Sequence, residues 1–199
     1  RPNIHFSITH QMDARSRVLS QLESTPGPAI LYDSTRQGVE VWTEKLTRAG
    51  MSVRAYHGGM DQGQRERNQR AWMQKQVRVM VATNAFGMGI DRTDVRLVLH
   101  VGLPASLEAY YQEAGRAGRD GRPALAEIIV TPDARLARQA LLEDDTFRKR
   151  RVRRSRRLFG YMRRYVDRPQ CRRWGLLGYF SEFSSQRSGN CDVCARHLP

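Results

Sequence analysis

Between residues 28 and 131 short apolar runs alternate with segments whose apolar positions recur every three or four residues. Five runs, Ala29–Tyr32, Met51–Tyr56, Val77–Thr83, Arg96–Val101 and Ala126–Val130, are short and carry apolar residues on both faces, as strands buried in a parallel sheet do. After the first run, Val39, Trp42, Leu46 and Ala49 fall at spacings of 3, 4 and 3 on one helical face. Gly50 follows as the residue that ends such a helix. Asp61-Gln62-Gly63-Gln64 has the pattern of a capping box. Thr131-Pro132-Asp133 places a cap, a first-turn proline and an acid at the start of another helix. The alternation predicts an α/β fold: a three-layer domain around a mostly parallel sheet.

After Asp144-Asp145 the pattern changes. Val152, Leu158/Phe159, Met162 and Tyr165/Val166 form one apolar helical stripe within 146–166, arginine fills the rest, and Pro169 ends the element. A second helical pattern, Cys171, Trp174, Leu177 and Phe180, leads through a Ser/Gly-rich stretch into Cys191-x-x-Cys194. Charge divides the chain at the same place. Of the net +14, residues 1–145 carry +2 and residues 146–199 carry +12. A near-neutral unit, 1–145, followed by a basic module, 146–199, is therefore expected, the second suited to a polyanion. Between Arg148 and Arg173 there are 12 Arg and one Lys against a single acid, Asp167. Like charges so dense repel unless an anion is near, so DNA backbone binding is expected, with strong salt dependence. No apolar run approaches the roughly 20 residues of a membrane span, and none of signal type follows Arg1. The expectation is a cytoplasmic protein with no membrane partner. Three cysteines, all in the basic module, make a poor disulfide framework and a better metal site.

In an open α/β sheet ligands bind at the carboxyl ends of the strands. There the chain places Tyr32-Asp33-Ser34-Thr35-Arg36, His57-Gly58-Gly59 and Thr83 through Asp91, whose hydroxyls and loop amides suit phosphates. Any one of these loops is as well explained by a tight turn; three on one edge favour phosphate binding. Trp42 and Trp72, at helical spacing, read as packing residues. In Tyr110 through Gly121, Arg116 and Arg119 each follow a glycine, and their guanidinium forks suit phosphate and charge developing on a phosphoryl group.

Residues 110–121 resemble motif VI of superfamily 2 helicases in the form found in RecQ DNA helicases. Val81–Asp91 resembles that family's motif V, and Ala55-Tyr56-His57-Gly58-Gly59 its Tyr-His-Ala-Gly element. Ile30–Arg36 resembles motif IV, although Asp33 stands where the family often has cysteine. Arg1-Pro2-Asn3-Ile4 resembles the joint between the two motor domains. The resemblance covers essentially the whole chain and implies a second RecA-like lobe (1–145) and a zinc-binding subdomain (146–199) of an ATP-dependent 3′–5′ DNA helicase. No G-x-x-x-x-G-K-[ST] and no D-E-x-H occurs. ATP and Mg²⁺ would thus be shared with a first RecA-like lobe, and the chain alone is expected not to hydrolyse ATP. By motif, Arg119 would be the arginine finger, Arg116 a neighbouring contact and Gln112 a residue positioning the cleft. Asp91 and Gly89 would line the nucleotide side. Ser34, Arg36, His57, Gly58 and Thr83 would track the strand, joined by Arg153, Arg154 and Arg157 of the basic module. His57 is equally well explained as a satisfied turn residue. A different class, a non-catalytic DNA-binding module derived from a helicase lobe, is the alternative, and the motif VI arginines argue against it.

The family's zinc subdomain has four cysteines spaced C-x16-C-x2-C-x2-C. Cys171, Cys191 and Cys194 occupy the first, third and fourth places, and the second falls on Ser188. Serine is a poor zinc ligand because its hydroxyl stays protonated. Zn²⁺ is expected on the three cysteines, with His197, water or another donor completing the set.

Overall fold

The computed structural model describes residues 1–87, 90–133, 136, 149–182 and 188–195. In chain order the elements are β1 (Ile4–His10), α1 (Ala14–Ser24), β2 (Ala29–Asp33), α2 (Arg36–Arg48), β3 (Val53–Tyr56), α3 (Gln62–Met73), β4 (Val79–Ala82), β5 (Leu97–Val101), α4 (Leu107–Ala114), β6 (Ala124–Val130), α5 (Lys149–Asp167), α6 (Arg172–Tyr179) and α7 (Asp192–Ala195). Six strands form one sheet in the order β1-β6-β5-β2-β4-β3, every neighbouring pair parallel. The α/β architecture with a parallel sheet follows from the strand runs; those of β2, β4, β5 and β6 are largely buried, whereas the run Met51–Tyr56 forms the edge strand β3 with only Val53 and Ala55 buried.

The central strands feed two cores, because successive side chains leave opposite faces. Ala29 and Leu31 join Val18, Leu22, Val39, Trp42 and Leu46 under α1 and α2. Ile30 and Tyr32 join Trp72, Phe86, Tyr110 and the C-terminal helices on the other face. Trp42 and Trp72 are both buried, as packing residues are. The helix starts are capped as the sequence predicts at Asp61, whose carboxylate accepts from the Gln64 N–H at 2.8 Å. Gly50 ends the turn after α2 at φ +78°. Pro132 and Asp133 are helical, as is Leu136, and residues 134, 135 and 137–148 lie outside the described residues.

Two elements were not expected. β1 reads Ile-His-Phe-Ser-Ile-Thr-His, with Ile4, Phe6 and Ile8 turned to the core; this is the alternation of an edge strand, not a doubly buried run. α1 buries only Ala14, Val18, Gln21 and Leu22, a narrow stripe among Arg and Ser.

The basic module packs directly on this sheet. Phe159, Met162, Tyr165 and Val166 of α5 are buried in the same core as Ile4, Phe6 and Tyr110. Cys191 extends the sheet edge by an isolated parallel bridge to Phe6. The Arg172 guanidinium, itself buried, grips Asp192 with two contacts of 2.9 Å and donates to the carbonyls of Tyr165 and Arg168. That buried fork ties α5, α6 and the cysteine knuckle together.

Candidate nucleotide cleft, strand surface and metal centre

Helix α4 begins at the cap Ser106, whose Oγ accepts from the Ala109 N–H, and stops at Gly115. A Cβ at Gly115 would lie 2.8 Å from the Tyr111 carbonyl oxygen, so the helix can turn off there only with glycine. The chain then curls through Gly118, at φ +56°, where a Cβ would meet Asn3 Nδ2 at 2.4 Å. These two glycines set Arg116 and Arg119 on the turn past the helix end. Gln112, Arg116 and Arg119 line one cleft of about 660 Å³ together with Arg1, Asn84 and Gly87, so the three catalytic candidates share one site.

The two arginines are held differently. Arg116 is half-buried, with its Nη2 where a Cβ on Gly87 would fall, and its Nε is buried without a hydrogen-bond partner among the described residues. It faces Tyr32, whose hydroxyl donates to the Phe86 carbonyl at 3.1 Å. Burial pushes the Tyr32 phenol far above its ordinary range against the pull of the Arg116 charge. Arg119 is looser: its Nη1 donates to the Ile90 carbonyl at 3.1 Å and to Asp91 Oδ1 at 3.3 Å, with Asp91 itself 86% exposed. An ion pair this exposed contributes about 0.2–1 kcal/mol, so Arg119 can leave it readily. Gly89 lies outside the described residues.

The carboxyl ends of β2, β4 and β3 are neighbours in the sheet, which brings the three predicted loops to one edge. Ser34, Arg36 and Gly58 are exposed there. Arg36 reaches over the glycines after β3, its Nη1 3.3 Å from where a Cβ on Gly59 would stand. Thr83 is buried and caps its own turn. His57 is buried, and both of its ring nitrogens are committed. Nδ1 accepts from the Gly59 N–H at 3.1 Å, so Nε2 carries the proton toward Glu40 Oε1 at 2.5 Å. It therefore braces the turn.

Arg153, Arg154, Arg156 and Arg157 are exposed on α5. Two arginines of the same basic run point inward instead. Arg172 is the buried fork described above. Arg173 Nη2 donates to the carbonyls of Arg1, Pro2 and Ile4. Arg1 in turn donates to the carbonyls of Gly115 and Ala117, and Asn3 Nδ2 to those of Gly118 and Arg122 at 2.8 and 2.7 Å. Residues 1–4 are thus a clasp between the basic module and the turn that carries Arg116 and Arg119. Sequence reasoning singled out Arg1-Pro2-Asn3-Ile4 only as a resemblance to an interdomain joint and missed this clasp.

The sulfurs of Cys171, Cys191 and Cys194 all lie within 4.8 Å of one another. Thiolates arranged tetrahedrally about 2.3 Å from zinc stand about 3.8 Å apart, so a contraction of at most about 1 Å would close the trio on the ion. Burial raises the Cys171 thiol, but hydrogen bonds from the Ser188 hydroxyl and N–H outweigh it and bring the group down to about 6. Burial and the neighbouring sulfurs push Cys194 up. A thiol cluster in which one member ionises readily fits a soft dication. His197 lies outside the described residues.

The helicase conserved C-terminal domain model matches residues 12–121, and the RecQ zinc-binding model matches residues 132–195. The chain is similar to the ATP-dependent DNA helicase RecQ of Pasteurella multocida, 38% identical over 196 residues, covering 98% of this chain and 31% of that protein. The RecQ of Haemophilus influenzae is 37% identical with the same coverage. The fold is similar to the DEAD-box protein SrmB of E. coli, solved bound to the regulator of ribonuclease activity A, with a TM-score of 0.58, 28% identity, and 68% of this chain and 82% of that one covered. The chain spans about a third of the length of the RecQ relatives it matches. Among the described residues no helix is long and apolar enough to cross a membrane.

Proposed function

The chain belongs to the helicase conserved C-terminal domain family, in its RecQ-type branch, and from that premise we propose that it forms the second motor lobe and zinc module of an enzyme coupling ATP hydrolysis to 3′–5′ unwinding of DNA. The lobe covers 1–145 and the module 146–199. ATP and Mg²⁺ are held chiefly by a first RecA-like lobe, and this chain alone does not turn ATP over. The cell compartment is the bacterial cytoplasm, with the protein on the nucleoid. The observation that carries the reading is the cleft itself, where Arg116 has a buried donor without a partner among the described residues, beside an Arg119 held by an exposed pair with Asp91 and one carbonyl.

When the lobes close, Arg119 exchanges Asp91 for the γ-phosphate and stabilises charge developing on it, as an arginine finger does. The exchange is favourable because a charge-assisted hydrogen bond in a closed cleft outweighs a solvent-screened ion pair. Arg116, fixed by Gly87 and Tyr32, supplies a second positive charge, and Gln112 positions the cleft between them. Asp91 and Gly89 border the nucleotide. At the carboxyl edge of the sheet, Ser34, Arg36 and Gly58 present donors to the strand backbone, with Thr83 and His57 shaping their turns. The exposed arginines of α5, among them Arg153, Arg154 and Arg157, hold DNA phosphates without reading sequence. Cys171, Cys191 and Cys194 would hold Zn²⁺, which would supply a structural cross-link between α6 and the edge of β1.

The test is Arg119→Ala in the protein carrying both lobes. DNA-stimulated ATP turnover should fall about 10³-fold or more, in line with the contribution of arginine fingers, while nucleotide affinity stays within a few-fold. Equal loss of affinity and turnover would remove Arg119 from that role.

A further inference from the structure

The fourth corner of the thiol cluster is occupied by a serine. Ser188 Oγ lies 3.3 Å from Cys171 Sγ, and the Ser188 N–H donates to the same sulfur at 3.4 Å. Its hydroxyl also accepts from the Asn190 N–H at 3.3 Å, so a short turn holds the side chain against the cluster. A cysteine at this position would present its sulfur to Cys171, one of the three. Serine presents a neutral oxygen, a weak donor to zinc beside thiolates. Three thiolates leave a zinc complex with one net negative charge, where four would leave two, and the coordination shell stays one strong donor short. Among the described residues nothing crowds the turn beside this corner: Gly189 is exposed at φ +66°, and a Cβ built on it would find nothing within 4 Å. The inner side is rigid, with Cys191 bridged to Phe6 and Asp192 locked to Arg172. A strained, collapsing site would lose its metal when challenged. A site braced on three corners and open on the fourth would exchange the fourth ligand instead.

We propose that the zinc site keeps an exchangeable coordination position at Ser188 and accepts a thiol from outside the chain as its fourth ligand. The proposal rests on the zinc reading above. In the exchange, the weak zinc–oxygen contact at this corner, to the Ser188 hydroxyl or a water, breaks. A zinc–sulfur bond forms, and the thiol's proton passes to solvent; nothing is oxidised or reduced. The ligand class is a small thiol or an accessible cysteine of another molecule, and the shared chemistry is one soft thiolate donor.

Cobalt(II) replaces zinc in the full chain as the probe, because its thiolate charge-transfer absorption counts the sulfurs bound. Titrating the cobalt-loaded protein with 2-mercaptoethanol should raise that band saturably by about a third, the step from three thiolates to four, with the metal retained. Ser188→Cys should start at the higher intensity and stay flat through the titration. Ser188→Ala, which removes the weak donor alone, should keep the response. A parent spectrum indifferent to the thiol would overturn the proposal, since a protein donor would then close the corner. Recovery of the response in His197→Ala would name that donor. Cobalt stripped from the parent rather than capped would overturn it as well. Failure of the parent to bind cobalt or zinc at all would instead remove the zinc reading on which the proposal stands.

Discussion

Replacing Gly38 with alanine should destabilise the lobe by about 2–4 kcal/mol, although alanine is the better helix former. Gly38 sits in the first turn of α2, and a Cβ there would fall 2.2 Å from Asp33 Oδ1 and 2.4 Å from Oδ2. That carboxylate cannot swing aside without cost. Its Oδ1 accepts from the Thr35 N–H at 2.8 Å and from Thr35 Oγ1 at 2.9 Å. Thr35 Oγ1 in turn accepts from the Gly38 N–H and caps the helix. Evicting Asp33 loses two hydrogen bonds to a charged group, about 1.5–3 kcal/mol each. Two effects offset part of this. The alanine gains about 1 kcal/mol of helix propensity, and Asp33, whose carboxyl burial holds above its ordinary range, recovers solvent. At about 2–4 °C per kcal/mol for a chain of this size, the melting temperature should drop by about 4–16 °C, read by calorimetry and by urea midpoint. The decisive control is the same substitution in an Asp33→Ala background. With the carboxylate gone, Gly38→Ala should turn stabilising by up to about 1 kcal/mol. Equal destabilisation in both backgrounds, or none in the parent, would show that the clash is not what requires glycine.

The parallel sheet was legible because doubly buried strands have no polar face to confuse the pattern, and β2, β4 and β5 are bounded by turn residues on both sides. β1 escaped notice because it is an edge strand whose His5, Ser7 and Thr9 face away from Ile4, Phe6 and Ile8, so its run is diluted by half. α1 escaped because a stripe of Ala14, Val18 and Leu22 is narrow enough to pass for a polar loop. Motif reading brought Gln112, Arg116 and Arg119 to one cleft, since the glycine spacing that places them is itself in the sequence. It could not tell an arginine aimed at solvent from one turned inward. Arg172 and Arg173 look identical to Arg153 and Arg154 along the chain, yet their partners are Asp192 and the carbonyls of residues 1–4. Those partners lie at sequence separations that no local pattern encodes. Ser188 is the opposite case: the family's cysteine pattern put it at the second ligand place, and the structure puts its hydroxyl against Cys171.

Replacing Arg153, Arg154, Arg156 and Arg157 with glutamine should flatten the dependence of log DNA affinity on log salt. The slope should drop by up to about 0.9 per lost phosphate contact on duplex and about 0.7 on single strand; an unchanged slope in a fluorescence titration would mean these arginines face something else. Glu108 is held below its ordinary value of 4.5, burial being outweighed by hydrogen bonds from Tyr179 and Ser106, while burial and Glu108 push Tyr179 up to about 12. A depressed carboxylate stabilises the fold above its unfolded value and loses that contribution as pH falls through the folded one. Glu108→Gln should therefore flatten the acid limb of a plot of melting temperature against pH below about 4.5, and an unaltered limb would assign the acid sensitivity elsewhere. Finally, Asn3→Ala should loosen the arginine turn selectively. The Asn3 amide is shared between the Gly118 and Arg122 carbonyls, and the Gly118 carbonyl also accepts from the Gly121 N–H at 3.1 Å. Without Asn3 the turn keeps its attachments to β5's lead-in, where the Gly118 N–H meets the Val95 carbonyl and the Asp120 N–H meets that of Thr93. Loss of hydrogen bonds worth about 1–1.5 kcal/mol predicts amide exchange of Gly121 faster by about 5- to 10-fold, with Ile30 to Tyr32 in the sheet centre unchanged. Uniform acceleration across both regions would show global destabilisation and refute the idea that the N-terminal clasp holds the turn of Arg116 and Arg119 in particular.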